Sequence, residues 1–174
     1  MHYVDLSNTK WGKIESVADF DKQTAPSRAQ RILRRGDTIL GTVRPGNGSY
    51  ALIGEDGLTG STGFAVLRPQ KKEYREFVYT AATRQDNIDR LAHLADGGAY
   101  PAISPEAVSG SEVIVPSDPV RTALLKVFSQ GMGPLLDQIL HLDHQSKTLG
   151  LIRDALLPKL ISGEIRLDQK EERA

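Results

Sequence analysis

Residues 117–163, SDPVRTALLKVFSQGMGPLLDQILHLDHQSKTLGLIRDALLPKLISG, change the character of the chain. Ser117 and Asp118 offer N-caps, Pro119 suits a first helical position, and leucine then dominates. A first helical stretch, Val120 to Ser129, is expected to end or kink at Gly131-Met132-Gly133, with Pro134 starting a second and longer helix. In that helix Leu135, Ile139, Leu142, Ser146, Leu149, Ile152, Leu156 and Leu160 recur mostly at spacings of three and four, the pattern of a helix–helix seam. Such a stripe wants a partner. From Leu135 to Gly163 the helix would span roughly 40 Å, far longer than a cap on a small domain requires. Pro158 is expected to kink the last turn or set it apart, and the charged residues 164–174, EIRLDQKEERA, to fray.

Before Asp118 the chain reads as short apolar runs broken by glycine and proline: TILGTVRP (38–45), YALIGEDG (50–57), GFAVLRP (63–69) and VIVPSDP (113–119). These are expected strands and turns. Thr38-Ile39-Leu40 and Phe64-Ala65-Val66-Leu67 have the β-branched and aromatic content of buried strands, and an Arg-Pro pair closes each. Two segments have helical periodicity instead, one from about Glu73 to Thr83 and one from Arg84 to Leu94, with Ile88, Leu91 and Leu94 on one face. The expected fold is therefore α+β: a globular domain over 1–118, a helical spacer or dimerisation region over 119–163, and a charged tail over 164–174. No internal repeat is visible.

With 174 residues, 39% of them hydrophobic and 25% charged, the chain is long enough for one ordinary domain with a real core plus an appendage. It has no cysteine, which excludes disulfides and thiolate metal sites. No apolar run approaches the roughly 20 residues of a membrane helix, and the start MHYVDLSNTKW lacks the order of a signal peptide, so a cytoplasmic location without membrane contact is expected. The net charge of zero argues by itself against a dedicated nucleic-acid binder. A local bias runs the other way: Lys22, Arg28, Arg31, Arg34, Arg35 and Arg44 stand against the single acid Asp37 between Lys22 and Tyr50. That stretch suits a phosphate-facing surface, and equally a solvated one balanced by acids elsewhere.

Catalytic constellations do not surface. Glycines 54, 57, 60 and 63 lack a following GK[ST] and fit turns better than a phosphate cradle. His141 and His144 lie three apart without a third metal ligand, and Glu55-Asp56, Glu73 and Glu76 have no histidine or nucleophilic serine at a suggestive spacing. Neither an Asn/Asp-Pro-Pro-aromatic tetrapeptide nor a nuclease-like acid-acid-x-Lys signature occurs. The chain is expected to hold no catalytic residue, metal or cofactor of its own.

Two stretches resemble the specificity subunits of type I restriction-modification systems. The more specific is LGLIRDALLPKLISGEIRL (149–167), which is similar to the end of that family's conserved spacer. The second, PSRAQRILRRGDTILGTVRP (26–45) followed by GSTGFAVLRP (60–69), resembles the body of a target-recognition domain; GAYPAIS (98–104) and IVPSDP (114–119) extend the likeness over nearly the whole chain. The resemblance implies a recognition domain for double-stranded DNA and a long helix in an antiparallel coiled-coil-like spacer. It implies methyltransferase and restriction/translocase partners, with S-adenosylmethionine and ATP bound on those partner subunits. Family members usually carry two recognition domains and two spacers in tandem. With one of each, the chain is expected to be a half subunit or a fragment that pairs with a copy of itself through a two-fold axis, reading a split palindrome, or with a longer specificity subunit.

Loop residues with bidentate or long polar groups are the candidates for reading bases: Arg28, Arg44, Asn47, Ser61, Thr62, Arg84 and Tyr100. Arg44 and Arg68 precede prolines and fit a surface cap as well, Tyr100 fits a half-buried core aromatic, and Arg31, Arg34 and Arg35 suit phosphate rather than bases. Leu135, Ile139, Leu142, Leu149, Ile152, Leu156 and Leu160 are the expected dimer or partner interface. A competing reading makes the chain an assembly adaptor that binds methyltransferase or another specificity subunit without useful DNA recognition. It draws on the 14 basic and 15 acidic residues of positions 1–118. A small-molecule enzyme with an α+β core is the third class, and no residue pattern supports it.

Overall fold

Strand β6 (Thr38–Gly41) is the middle strand of a three-stranded sheet in a computed structural model that describes residues 1–95 and 101–166. Among these residues the elements run β1 (His2–Val4), β2 (Thr9–Lys10), β3 (Lys13–Ile14), β4 (Ala18–Asp19), β5 (Ala29–Ile32), β6, β7 (Tyr50–Leu52), β8 (Leu58–Ser61), β9 (Phe64–Leu67), α1 (Arg75–Thr83), α2 (Gln85–Ala95), α3 (Pro105–Ser109) and α4 (Val120–Ile161). The α+β expectation holds, and both strands singled out for their apolar content form where expected.

The strands make two principal sheets. One has the order β4-β1-β8-β5, with β1 and β8 parallel and the other pairings antiparallel. The other, β7-β6-β9, is antiparallel throughout, with Ile39 opposite Ala51 on one side and Val66 on the other. Every residue of β6 is buried. Successive side chains of a strand point to opposite faces, so β6 feeds two cores. Ile39 joins Val4, Leu33, Ile53, Leu58 and Phe64. Leu40 joins Ala65, Ala82, Ile88, Leu91 and Val108, which places α1, α2 and α3 over the other face.

An ion pair pins the entry to this strand. Asp37 is 1% exposed and accepts from Arg68 Nε at 2.8 Å and Nη2 at 2.7 Å, and from the Arg34 backbone N–H at 2.8 Å. Arg68 Nη2 also donates to the Ile32 carbonyl at 3.1 Å. Arg68 is thus no mere surface cap: its fork ties the end of β9 to the start of β6 and to β5. The lone acid of the basic stretch is internal, leaving no exposed carboxylate of that stretch to offset its cations.

Helices α1 and α2 match the two periodic segments, but Ala95 rather than Leu94 completes the buried face. The reason is phase, since 88, 91 and 95 share a face and 94 lies about 100° away from 95. Positions 113–119 form no strand, and Ile114 stands fully exposed. Pro116 and Pro119 remove donors there and no neighbouring strand is offered.

Helix α4 differs most from the expected two helices: it starts at Val120 and continues unbroken through Gly131-Met132-Gly133, Pro134 and Pro158 to Ile161. Gly133 is a packing residue rather than a breaker. It is buried, and a Cβ there would come 3.3 Å from Glu76 Oε1. Glu76 is itself buried and paired with Arg75 at 2.7 Å. With Leu125 and Leu136 buried on the same helix, this packing offsets the hydrogen bond that Pro134 removes. Pro158 falls in the last turn, where one lost bond weakens little.

The described chain divides into two compact units, Met1–Leu136 and a second that begins at Asp137. No residue of the second unit is buried through Arg166. Among the described residues no helix is long and apolar enough to cross a membrane.

Removing one partner of a buried, hydrogen-bonded charge leaves the other unpaired. Asp37→Ala is therefore expected to lower unfolding free energy by about 2–3 kcal/mol, read as a shift of the urea midpoint at unchanged slope, and Arg68→Met should lose more, because it leaves the Asp37 carboxylate, 1% exposed, without its counter-ion, whereas the Arg68 side chain that Asp37→Ala leaves behind is 43% exposed and reaches water.

Candidate functional site

An open cavity of about 710 Å³ sits in the first unit, where four chain segments meet. They are residues 5–11 after β1, Arg28 before β5, residues 43–49 after β6, and the 61–63 turn between β8 and β9. Hydrogen bonds to backbone carbonyls join them. The Thr62 N–H donates to the Arg28 carbonyl at 2.7 Å, the Thr42 N–H to the Gly63 carbonyl at 2.8 Å, and Ser49 Oγ to the Leu6 carbonyl at 3.3 Å. Gly63 sits close against Leu6: a Cβ there would meet Leu6 Cδ1 at 2.8 Å, so that side chain would have to shift.

The structure thus gathers Arg28, Arg44, Asn47, Ser61 and Thr62 around one cavity. Arg28 has the fullest set of side-chain partners among them. Its Nε donates to Tyr3 Oη at 3.1 Å, its Nη2 lies 3.0 Å from Asp5 Oδ2, and Tyr3 Oη donates to that same oxygen at 2.7 Å. Ser7 donates to the other oxygen from its N–H at 3.1 Å and its hydroxyl at 3.0 Å. The Arg28 side chain is nevertheless 61% exposed, so its fork is held in direction while N–H groups stay accessible. Burial pushes the Asp5 carboxyl up, but the hydrogen bonds from Tyr3 and Ser7 and the Arg28 charge outweigh it and hold the group below its ordinary value.

Arg44 occupies the left-handed region, φ +47°, at the head of the short 3-10 turn Pro45–Asn47. Its N–H donates to the Pro101 carbonyl at 2.9 Å, and its carbonyl accepts from Asn47 N–H at 2.9 Å. An unfavourable backbone conformation fixed by two bonds aims an exposed guanidinium from the rim. Asn47 and Thr62 are exposed beside it. Ser61 is different: it is 2% exposed, and its hydroxyl accepts from the Gly63 N–H at 3.2 Å.

Two candidates fall elsewhere. Arg84 is outside the cavity and pairs with Asp86 at the start of α2, while Tyr100 lies outside the described residues. Arg31, on the edge strand β5, and Arg34 and Arg35 just after it are exposed without lining the cavity. Lys10 and Trp11 also line it, and neither was singled out from the sequence. The signal was faint: a solitary tryptophan before glycine in a polar stretch, Lys10-Trp11-Gly12-Lys13. Among the described residues no three His, Asp or Glu side chains are grouped to share a metal ion, and His141 and His144 are exposed.

On α4, Leu135, Ile139, Leu142, Leu149, Ile152, Leu156 and Leu160 are all exposed. Leu151, Leu157 and Ile161 are exposed as well and lie off that stripe, so the end of the helix is apolar on more than one side.

No family model matches the chain. It is 26% identical over 159 residues to the type I restriction enzyme HindI specificity subunit of Haemophilus influenzae, an alignment covering 87% of this chain and 33% of that protein. It is 29% identical over 82 residues to the MjaIX specificity subunit of Methanocaldococcus jannaschii, covering 47% of this chain and 18% of that one. The chain's homologues are type I restriction enzyme specificity subunits. Among solved structures, the HsdS subunit of Thermoanaerobacter tengcongensis matches with a TM-score of 0.59 and 31% identity over 89% of this chain and 41% of that one. A structure describing complex assembly and conformational transition of the type I R-M system matches with a TM-score of 0.60 and 25% identity, over 99% of this chain and 45% of that one. The chain spans less than half the length of each of these specificity-subunit and type I system proteins.

A carboxyl depressed in the folded state contributes stability at pH values above its unfolded value of about 3.9, and that stability is lost as pH falls through the folded value. The Asp5–Arg28 tie is therefore complete between pH 5 and 8. Asp5→Ala should lower stability by about 1–2 kcal/mol across that range and flatten the acid limb of the stability–pH curve, which urea titrations at stepped pH would measure.

Proposed function

We propose that this chain is a DNA sequence-recognition component of a type I restriction-modification system. In this reading the first unit binds duplex DNA along the rim of its cavity, and the exposed apolar residues of α4 dock protein partners. Chemistry belongs to the partners: a methyltransferase subunit with S-adenosylmethionine and a restriction/translocase subunit with ATP.

The observation that carries the reading is the convergence of Arg28, Arg44, Asn47 and Thr62, from three separate segments, on one open cavity. Lys10, Arg28 and Arg44 face a single carboxylate there, that of Asp5. Forked and amide side chains suit base edges in the major groove, Arg28 among them held by Tyr3 and Asp5, and lysine suits phosphate. The homologues, all named as specificity subunits, support the same reading. On α4 the predicted stripe provides one helix-docking face, and Leu151, Leu157 and Ile161 provide apolar surface for a second partner. Two copies joined through that stripe would read a split palindrome, whereas pairing with a longer specificity subunit would read an asymmetric site.

The near balance of charge over positions 1–118, 14 basic against 15 acidic residues, keeps the adaptor alternative in play, and one experiment separates the two. The purified chain is combined with its partner methyltransferase, and methylated positions are mapped by sequencing. A recurring bipartite motif is the expected result; methylation no higher than without the chain would leave the adaptor. Within the complex, Arg44→Ala should cost about 1–3 kcal/mol and relax preference at one base position, while Lys10→Ala should weaken all sequences alike and reduce the salt slope by about 1. Binding titrations at several salt concentrations measure both.

A further inference from the structure

Trp11 is the chain's single tryptophan, and it is placed at a cost. Its backbone has φ +49°, a conformation that bulky residues rarely adopt. Its N–H donates to the Gly48 carbonyl at 2.7 Å, and the next residue, Gly12, donates to the Tyr50 carbonyl at 2.9 Å. A Cβ on Gly48 would come 2.6 Å from the indole, so the ring rests directly on glycine backbone. The Tyr50 ring meets it edge to face, with centroids 6.1 Å apart and planes at 87°.

These restraints do not serve core burial, because Trp11 remains 55% exposed. An aromatic ring held rigidly with over half its surface in water is preorganised for something outside the fold. Its exposed part borders the same cavity as Lys10, Arg28, Arg44 and Thr62.

Resting on the function proposed above, we infer that Trp11 is a specificity-determining residue that packs on the 5-methyl group of a thymine in the major groove. The major-groove edge of duplex DNA presents donors and acceptors with one apolar exception, the thymine methyl. The cavity's charged and hydroxyl side chains match the polar groups; Leu6 and Val43 also line it but are half-buried, and Trp11 is its most exposed apolar side chain. A wedge that unstacks bases projects from its support and acts in the minor groove. This indole is instead seated against Gly48, a position that offers a surface and not an insertable edge.

The test is a double-mutant cycle on the chain bound to its partner methyltransferase, using duplexes of the mapped motif in which each thymine is replaced in turn by deoxyuridine. At one position the wild-type complex should lose about three- to fivefold in affinity, the effect of one methyl-sized apolar contact. Trp11→Gly should bind more weakly to the thymine duplex and be indifferent to that replacement, and Trp11→Phe should keep part of the sensitivity. Glycine adopts φ +49° without strain, so Trp11→Gly removes the ring and not the turn, which an unchanged far-UV circular dichroism spectrum and a single cooperative urea transition verify. A deoxyuridine penalty of equal size in wild type and Trp11→Gly overturns the assignment, as does no penalty at any thymine. A wild-type complex that does not distinguish its motif from a scrambled duplex overturns the DNA-reading function along with it.

Discussion

Strand β6 has no solvent face. Ile39 enters one core and Leu40 the other, so two sheets and three helices are organised around four consecutive residues. A strand in that position has no freedom of register, because a slip of one residue would exchange the two cores' contents. The carboxylate of Asp37 sits at the head of this strand, paired to Arg68 across the sheet, and sets where the buried run begins. The cavity loops leave from the ends of these same strands: residues 43–49 follow β6 directly, and 61–63 join β8 to β9. Rigidity in the sheet is what allows polar side chains on the loops to be aimed rather than merely tethered.

The loops carry the strain that the sheet does not. Arg44 and Trp11 are the non-glycine residues with positive φ among those described, and both line the cavity. Arg28 reaches a fixed direction by another route, through Tyr3 and Asp5, both from the first five residues. Three side chains are thus positioned by three mechanisms: a turn, an edge-to-face ring contact over a glycine and a hydrogen-bonded triad. Such convergence argues that the shape of the cavity's rim, more than its volume, is what the domain maintains.

Much of this was legible in local chemistry. The apolar runs at 38–40 and 64–67 and the helical periodicity near 73–94 depend on residues close in sequence, and they formed as expected. Five of the seven proposed base-reading residues gathered in one place because turn residues end strands, and the ends of these strands converge. What stayed hidden depended on distant partners. Gly131-Met132-Gly133 has the composition of a break, and only Glu76, more than fifty positions earlier, turns Gly133 into a packing residue. Trp11 carries no signal until Gly48 and Tyr50 come beneath and beside it. Ser61 reads as a loop residue by type, yet it is the last residue of β8, paired opposite Ala29, and is buried there.

The solitary indole has a consequence for spectroscopy. Excitation at the red edge of protein absorption addresses one chromophore in this chain, located at the mouth of its cavity, with Tyr50 close enough to pass energy to it. The molecule therefore carries an internal optical gauge whose emission responds to whatever enters that mouth. Since the chain contains no cysteine, a thiol placed by design at any chosen surface position would be unique, and distances from it to the indole could be followed without a competing label.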